Sequence, residues 1–405
     1  MHFSPIILLL FHNLVPSGAF ILTPESARQR SSRPKPPAFR RLGHLDDGTA
    51  PVITNRNPIV LIPGDGGSRL KANLTGKPSV VHYFCERQTS KYFALWLNLE
   101  QFGPFAIDCW ADNMRLDFNS SSGKATDLAG VNVRVPGFGH TRTVEWLDAS
   151  KRSPSRYFAP IVSSLIAWGY RRGVDVAGAP YDWRRTPEEL IRYFAKLRSL
   201  IEQIFHANGN RKVIVLAHSM GNPLANFFYN KFVDKAWKDT FLLAHISLAG
   251  AWGGSAQVVK LFASEANFSQ NYTLSNLDKF FADIQYPQGF DQWKSASRAL
   301  VLDPPGVKVY CIFGIGVDTP EQFEWTHSWF FPDYQPYIRY GDGDGTVNRR
   351  SLEVCERWGR TTPEGVAVHR LNGTDHLGIL SEPRTLALLR DILVAKGGRG
   401  TSEGE

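Results

Sequence analysis

The chain has 405 residues, of which 43% are hydrophobic and 12% aromatic, and it carries a net charge of +8. That length and apolar content exclude a disordered or fibrous chain and allow one large core with insertions. Six arginines, one lysine and three acidic residues between Phe20 and Pro58 concentrate half of the excess charge on one arm; the rest is dispersed, so nucleic acid is not an expected partner.

The first twenty residues read "MHFSPIILLLFHNLVPSGAF". The apolar run Pro5 to Phe11 is too short to span a bilayer. Small residues Ser17, Gly18 and Ala19 follow it, so residues 1–19 read as a secretory signal. Residues 20–57 form a basic, Pro-rich arm that is expected to be disordered. Its Arg28, Arg30, Arg33, Lys35, Arg40 and Arg41 suit a solvated linker, or attraction to an anionic lipid surface. No later stretch has the apolar length of a membrane span.

From residue 58 onward, short continuous apolar runs alternate with helical patterns. "PIVLIPGDGGS", "KVIVLAHS", "LLAHISLAGAWGG", "VKVYCIFGIG" and "VAVHRLNG" each hold a run bounded by glycine or a polar turn. Continuous rather than alternating runs mark strands buried on both faces of a parallel sheet. Between them, "SRYFAPIVSSLIAWGY" and "TPEELIRYFAKLRSLIEQIF" have helical spacing, the second opening with Thr186 as N-cap, Pro187 and two glutamates. An α/β fold with right-handed crossovers follows. Two stretches, about 68–150 and about 255–305, do not fit the plain sheet and read as insertions. Residues 396–405 read as a flexible tail.

The chemistry centres on "VIVLAHSMGN". A nucleophile held at a strand–turn–helix elbow needs small residues two places before and after it, because strand and helix converge there. Ala217 and Gly221 flank Ser219 in this way. The helical "GNPLANFFYNKFV" follows, with Pro223 allowed in its first turn. A serine nucleophile needs a base and an orienting acid, in the chain order Ser, acid, His on this type of fold. His376, in the polar loop "LNGTDHLGIL" after the last strand, is the expected base. His369 lies within a strand, and His218 at the elbow points the wrong way. The acid comes from "YGDGDGTVN", with Asp344 favoured over Asp342. The same stretch imitates a calcium loop from Asp342 to Glu353, but Val347 stands where the turn needs glycine, so no metal is expected. The oxyanion needs two main-chain donors; Met220, after the nucleophile, and Asp65, in the glycine-rich loop after the first strand, are the candidates. That loop lacks the Gly-Lys-Ser/Thr of a phosphate cradle. No cofactor is expected.

Four cysteines, Cys85, Cys109, Cys311 and Cys355, form no CxxC. An even number in a secreted chain suggests two disulfides with three possible pairings, of which sequential pairing closes the shortest loops. Sequons at Asn73, Asn119, Asn267, Asn271 and Asn372 fit the same compartment.

With "HYFC", "YFALWLNLE", "IDCW", "VNVRVPGFG", "AWGYRRGVDVAGAPYDWRR", "AHSMGN", "NYTL", "FFADI" and "GDGDGTVN" in hand, the chain resembles the lecithin:cholesterol acyltransferase family, in its lysosomal phospholipase A2 branch. The resemblance covers about residues 58–395. It implies an α/β-hydrolase core with inserted membrane-binding and cap regions, and an acyl-serine enzyme with Ser219, Asp344 and His376 as triad. It also implies an oxyanion hole at Asp65 and Met220, and the sequential disulfides. The substrates would be glycerophospholipids at an anionic membrane surface, with water or a lipid alcohol such as ceramide as acyl acceptor, in the lysosome or outside the cell. It places "YFALWLNLEQFGPFAIDCW" in the membrane-binding region, where Phe93, Leu95, Trp96, Leu97, Phe102 and Phe105 are the candidate lipid contacts. One departure stands out. Family members carry a longer, lid-like stretch where this chain has only Ser255 to Gln270 before "NYTL", and their "GAPWGG" is "GAWGG" here. Two rivals therefore remain: a sterol acyltransferase, and a lipid-binding protein whose catalysis was lost or reduced with the lid.

Overall fold

The structure, a computed structural model, describes residues 53, 56–151, 155–258, 277–283, 286–324, 336–359 and 361–397. The expected signal, most of the arm, the tail beyond Gly397, most of the short stretch after Ser255, and the sequons at Asn267 and Asn271 lie outside them. The end of the arm is ordered rather than disordered: Ile53 is buried and its amide donates to Trp168 O at 3.1 Å, and Arg56 pairs with Asp175 at 3.3 Å. The last helix, Pro383–Gly397, takes in the first two residues of the expected tail.

Six strands make the central sheet: β1 (Ile59–Ile62), β2 (Val176–Gly178), β3 (Val213–His218), β4 (Leu242–Leu248), β5 (Val309–Ile315) and β6 (Val366–Asn372). Their order is β6-β5-β4-β3-β1-β2, and every neighbouring pair is parallel. Every residue of β1 and β3 is buried, as continuous apolar runs in a sheet covered on both faces require. The five apolar runs of the sequence correspond to five of these strands. β2 has only three residues, Val-Ala-Gly, too few to form a run.

Three helices matter to the site: α1 (Ala159–Ala167), α2 (Ile191–Ala207) and α3 (Gly221–Phe227). α2 buries Tyr193, Phe194, Leu197, Ile201, Ile204 and Phe205, spaced at three and four residues as an amphipathic helix demands. It is preceded by a 3-10 turn at Pro187–Leu190. There the Glu189 carboxylate accepts the Thr186 amide N–H at 2.9 Å, satisfying a donor that has no intrahelical acceptor.

Between β1 and β2 the chain leaves the sheet. Phe93–Trp96 and Val131–Arg134 pair antiparallel with opposite edges of Leu70–Leu74, Leu116–Asn119 forms a hairpin with Lys124–Asp127, and Ala106–Met114 is helical. Disulfide Cys85–Cys109 staples this segment, and Cys311–Cys355 ties β5 to a later helical turn. This is the sequential pairing expected from the sequence.

The lipid-contact expectation needs correction here. Leu95, Trp96 and Leu97 are buried in the hydrophobic core, because the chain at the end of the strand Phe93–Trp96 is covered on both faces. Trp96 lies against Phe102, Trp110 and Trp183, with ring centroids 6.1, 6.2 and 5.5 Å away. Phe93 and Phe102 are half-buried and pack on the same core. Of the six candidates Phe105 alone is well exposed, at 72%. The exposed apolar side chains of this region are Val81, Tyr83, Phe84, Tyr92, Leu99 and Phe105, with Tyr83 at 97%. Phe84, Tyr92 and Phe105 share the rim of a cavity of about 840 Å³ beside the disulfide.

Candidate active site

β3 delivers Ser219 at its C-terminal end and α3 starts two residues later. Ser219 has φ +53°, a left-handed conformation that costs a non-glycine residue energy and persists where surrounding structure enforces it. The Ser219 amide donates to Leu248 O at 3.0 Å. The small flanking residues are required sterically. A Cβ on Gly221 would meet Pro63 O at 2.5 Å and Ile62 O at 2.7 Å, and Ala217 is fully buried.

His376 follows β6 and reaches the elbow. Ser219 Oγ lies 2.9 Å from His376 Nε2, and His376 Nδ1 lies 2.7 Å from Asp344 Oδ2. A hydroxyl proton directed at Nε2 and an Nδ1–H directed at the carboxylate give the relay a single sense. Asp344 is buried, and its other oxygen accepts the amides of Thr346 at 3.1 Å and Val347 at 2.7 Å. A buried carboxylate is thus fully satisfied, as its burial demands. Asp342 is directed elsewhere: it accepts the Gly316 amide at 2.7 Å and pairs with Arg349 at 2.9 Å.

The two oxyanion candidates belong to the two segments that meet at Ser219. The Cα of Gly64, just before Asp65, faces Ser219, and a Cβ built there would stand 2.6 Å from Ser219 Cβ. Met220 is the residue immediately before α3. Among the described residues neither the Asp65 nor the Met220 amide has a protein acceptor, which leaves both available to an oxyanion. The Asp65 side chain is less comfortable. Its Oδ1 is buried without a hydrogen-bond partner. Burial pushes its pKa well above the usual carboxylate value, against a smaller opposing effect of the Gly66 amide.

Sequence reasoning missed the groups behind the elbow. Asn222 Nδ2 donates to Ser219 O at 3.1 Å and Leu248 O at 3.2 Å. His245 Nε2 lies 2.9 Å from Asn222 Oδ1, and the Tyr229 hydroxyl lies 3.1 Å from His245 Nδ1. Burial pulls the His245 pKa down to about 3, so this ring is neutral and clamps the strained residue from below. Trp96, read from the sequence as a lipid contact, donates its indole N–H to Gly66 O at 2.6 Å and so holds the oxyanion loop. His369 lies half-buried in β6, away from the serine. Of the described sequons, Asn119 and Asn372 are exposed; Asn73 is half-buried, with its side-chain amide donating to Thr89.

A parallel sheet carrying a strained serine at a strand–helix elbow, hydrogen-bonded to a histidine and a buried aspartate, defines an α/β-hydrolase-type acyl-transfer site. The sequence model described as lecithin:cholesterol acyltransferase matches residues 92–290 and 288–383, and the chain belongs to that family. The human protein named "Lysosomal phospholipase A and acyltransferase" is 41% identical over 379 positions, covering 83% of this chain and 90% of that protein. The rat protein of the same name is 40% identical over 378 positions, with the same coverage. The chicken "Phosphatidylcholine-sterol acyltransferase" is 37% identical over 381 positions, covering 84% of this chain and 91% of that protein. The aligned length with the human relative exceeds the 83% of 405 residues that this chain contributes, so that relative carries residues which this chain lacks.

Proposed function

We propose that this protein is a serine phospholipase A and O-acyltransferase. Ser219 Oγ attacks an acyl ester of a glycerophospholipid while His376 Nε2 takes the hydroxyl proton. The tetrahedral oxyanion is held by the main-chain amides of Asp65 and Met220. His376 returns the proton to the departing lysophospholipid oxygen, which leaves an acyl-Ser219 ester. Water, or the hydroxyl of a lipid alcohol such as ceramide, then gives its proton to His376, attacks the acyl carbon and frees the serine. Asp344 keeps the imidazole in the tautomer that can accept and stabilises its charged form.

The observation that carries this reading is the hydrogen-bonded line Ser219–His376–Asp344 at the strained elbow. The names of the relatives supply the substrate class. Lipid would be met at the surface formed by Val81, Tyr83, Phe84, Leu99 and Phe105, and the net charge of +8 favours an anionic membrane. The lysosomal name of the human and rat relatives supports an acidic compartment of the secretory route.

The test uses vesicles of phosphatidylcholine with an anionic phospholipid, and N-acetylsphingosine as acceptor, at pH 4.5 and pH 7.4. Wild type is expected to release fatty acid and acylated sphingosine and to take a fluorophosphonate label; Ser219→Ala should do neither while staying folded. Vesicle binding with no label and no product would favour the lipid-binding rival. Acyl transfer to cholesterol in preference to N-acetylsphingosine would favour the sterol rival.

A further inference from the structure

Two buried residues outside the Ser–His–Asp line, Tyr157 and His218, form a second hydrogen-bonded line behind it. The Gly64 amide lies 2.9 Å from the Tyr157 hydroxyl. The same hydroxyl lies 2.5 Å from His218 Nδ1, and His218 Nε2 lies 2.9 Å from the main-chain oxygen of His376. The acceptors fix the direction. A carbonyl oxygen can only accept, so Nε2 carries the proton. In a neutral ring Nδ1 is then bare and accepts from Tyr157 O–H, whose oxygen accepts from Gly64 N–H. Burial and the neighbouring His376 ring both favour the neutral form of His218. The two imidazoles lie 4.9 Å apart, centroid to centroid.

This line joins the end of β3 to two loops that the sheet brings beside it. Gly64 belongs to the oxyanion loop, His218 to the elbow, and His376 to the loop after β6. Each hydrogen bond crosses from one segment of the chain to another. The Tyr157 ring is held in turn by Gly67, where a Cβ would stand 2.8 Å from the ring. Resting on the hydrolase reading above, we propose that Tyr157 and His218 are positioning residues that set the base and the oxyanion loop in one frame relative to Ser219. Neither touches substrate. The His376 carbonyl fixes the tautomer of His218, and Tyr157, accepting from Gly64 N–H and donating to Nδ1, ties that ring to the oxyanion loop. Without the phenol O–H, His218 Nδ1 and the Gly64 amide both lose their partner, and the oxyanion loop is no longer tied through His218 to the His376 backbone.

The test compares wild type with Tyr157→Phe, His218→Leu, His218→Gln and Ser219→Ala on the soluble ester p-nitrophenyl butyrate. Competent sites are counted by fluorophosphonate titration, so misfolded protein does not enter the rates. Tyr157→Phe is expected to lower kcat per labelled site about tenfold or more with KM unchanged, since displacing a reacting group by about 1 Å costs up to a hundredfold. His218→Leu should fall further. His218→Gln, whose amide N–H can reach the same carbonyl, should recover most of the loss. Wild-type kcat per labelled site in Tyr157→Phe and His218→Leu would overturn the proposal, as would a His218→Gln variant no faster than His218→Leu. A wild type that takes no label, or a fully active Ser219→Ala, would overturn the hydrolase reading itself and this proposal with it.

Discussion

Gly64 lies directly against Ser219: a methyl group at Gly64 would stand 2.6 Å from Ser219 Cβ, 2.9 Å from His218 O and 3.2 Å from Ser219 Oγ. Two of these neighbours belong to the strained turn and cannot withdraw without moving the nucleophile. Gly64→Ala should therefore act on catalysis more than on folding. The expected cost is about 1–3 kcal/mol of stability, as for other overpacked sites, and about a hundredfold in kcat, because the hydroxyl moves relative to His376. Urea denaturation and ester hydrolysis on one preparation check both numbers. A variant with wild-type kcat would mean that the oxyanion loop, not the serine, gives way.

Asp65 gives the site a pH dependence whose sign follows from its surroundings. Burial raises its native pKa well above the usual value of 3.8, so the native protein holds this proton more tightly than the unfolded chain does. The associated stability is fully present below the unfolded value and is lost as pH rises through the native one. Activity should follow the same direction, since a carboxylate beside the oxyanion opposes the charge that develops there. Asp65→Asn keeps the main-chain donor and removes the titration. It is expected to retain acidic activity and to extend it toward pH 7.4, with stability that falls less as pH rises. Identical pH–rate profiles for wild type and variant would show that another group sets the limb.

The serine, its two partners and five of the six strands were legible because each is encoded locally: an apolar run, a turn, small residues at fixed offsets. The sequence favoured Asp344 over Asp342 but kept both as candidates, since both sit in one glycine-rich turn. The structure separates them through pairing with distant groups, Arg349 and Gly316 on one side and His376 on the other. Tyr157 was invisible for the same reason, since its partner His218 lies 61 residues away. Leu95, Trp96 and Leu97 failed differently. An apolar run inside a cysteine-closed loop looks the same whether it faces lipid or core, and only the strand pairing with Leu70–Leu74 decides. The exposed Tyr83 and Phe84 were hidden among the polar residues around them.

That correction makes a contrast between two aromatic residues of one segment. Phe105→Ser removes an exposed ring and should leave folding and soluble-ester hydrolysis unchanged. It should weaken vesicle binding by about tenfold or more, in line with roughly 1.5–3 kcal/mol for burying such a side chain. Trp96→Ala empties a packed site and frees the Gly66 carbonyl, and should cost about 3–5 kcal/mol of stability. Vesicle co-sedimentation and thermal unfolding separate the two. A Phe105→Ser variant that binds vesicles like wild type would move the membrane contact off this patch.

Arg184, with Arg185 beside it, fastens the inserted hairpin to the core. Its side chain is fully buried. It lies 2.8 Å from Asp127 of the hairpin and 2.7 Å from Asp182, and donates to Met114 O at 3.0 Å. Burial alone would raise the Asp182 pKa, but Arg184 and then Arg185 reverse that, and the net shift is downward. For a depressed carboxylate the stability is present above the unfolded value and lost as pH falls through the native one. Arg184→Met leaves two carboxylates with Arg185 alone, at 3.2 Å from each. Removing one partner from a buried pair costs about 3–5 kcal/mol, and that loss should be largest near pH 7. It should shrink at pH 4.5, where the stranded Asp182 can take up a proton and shed its charge. Denaturation of both proteins at the two pH values reads the difference, and a loss below about 1 kcal/mol at pH 7 would place this cluster among exposed ion pairs of little consequence.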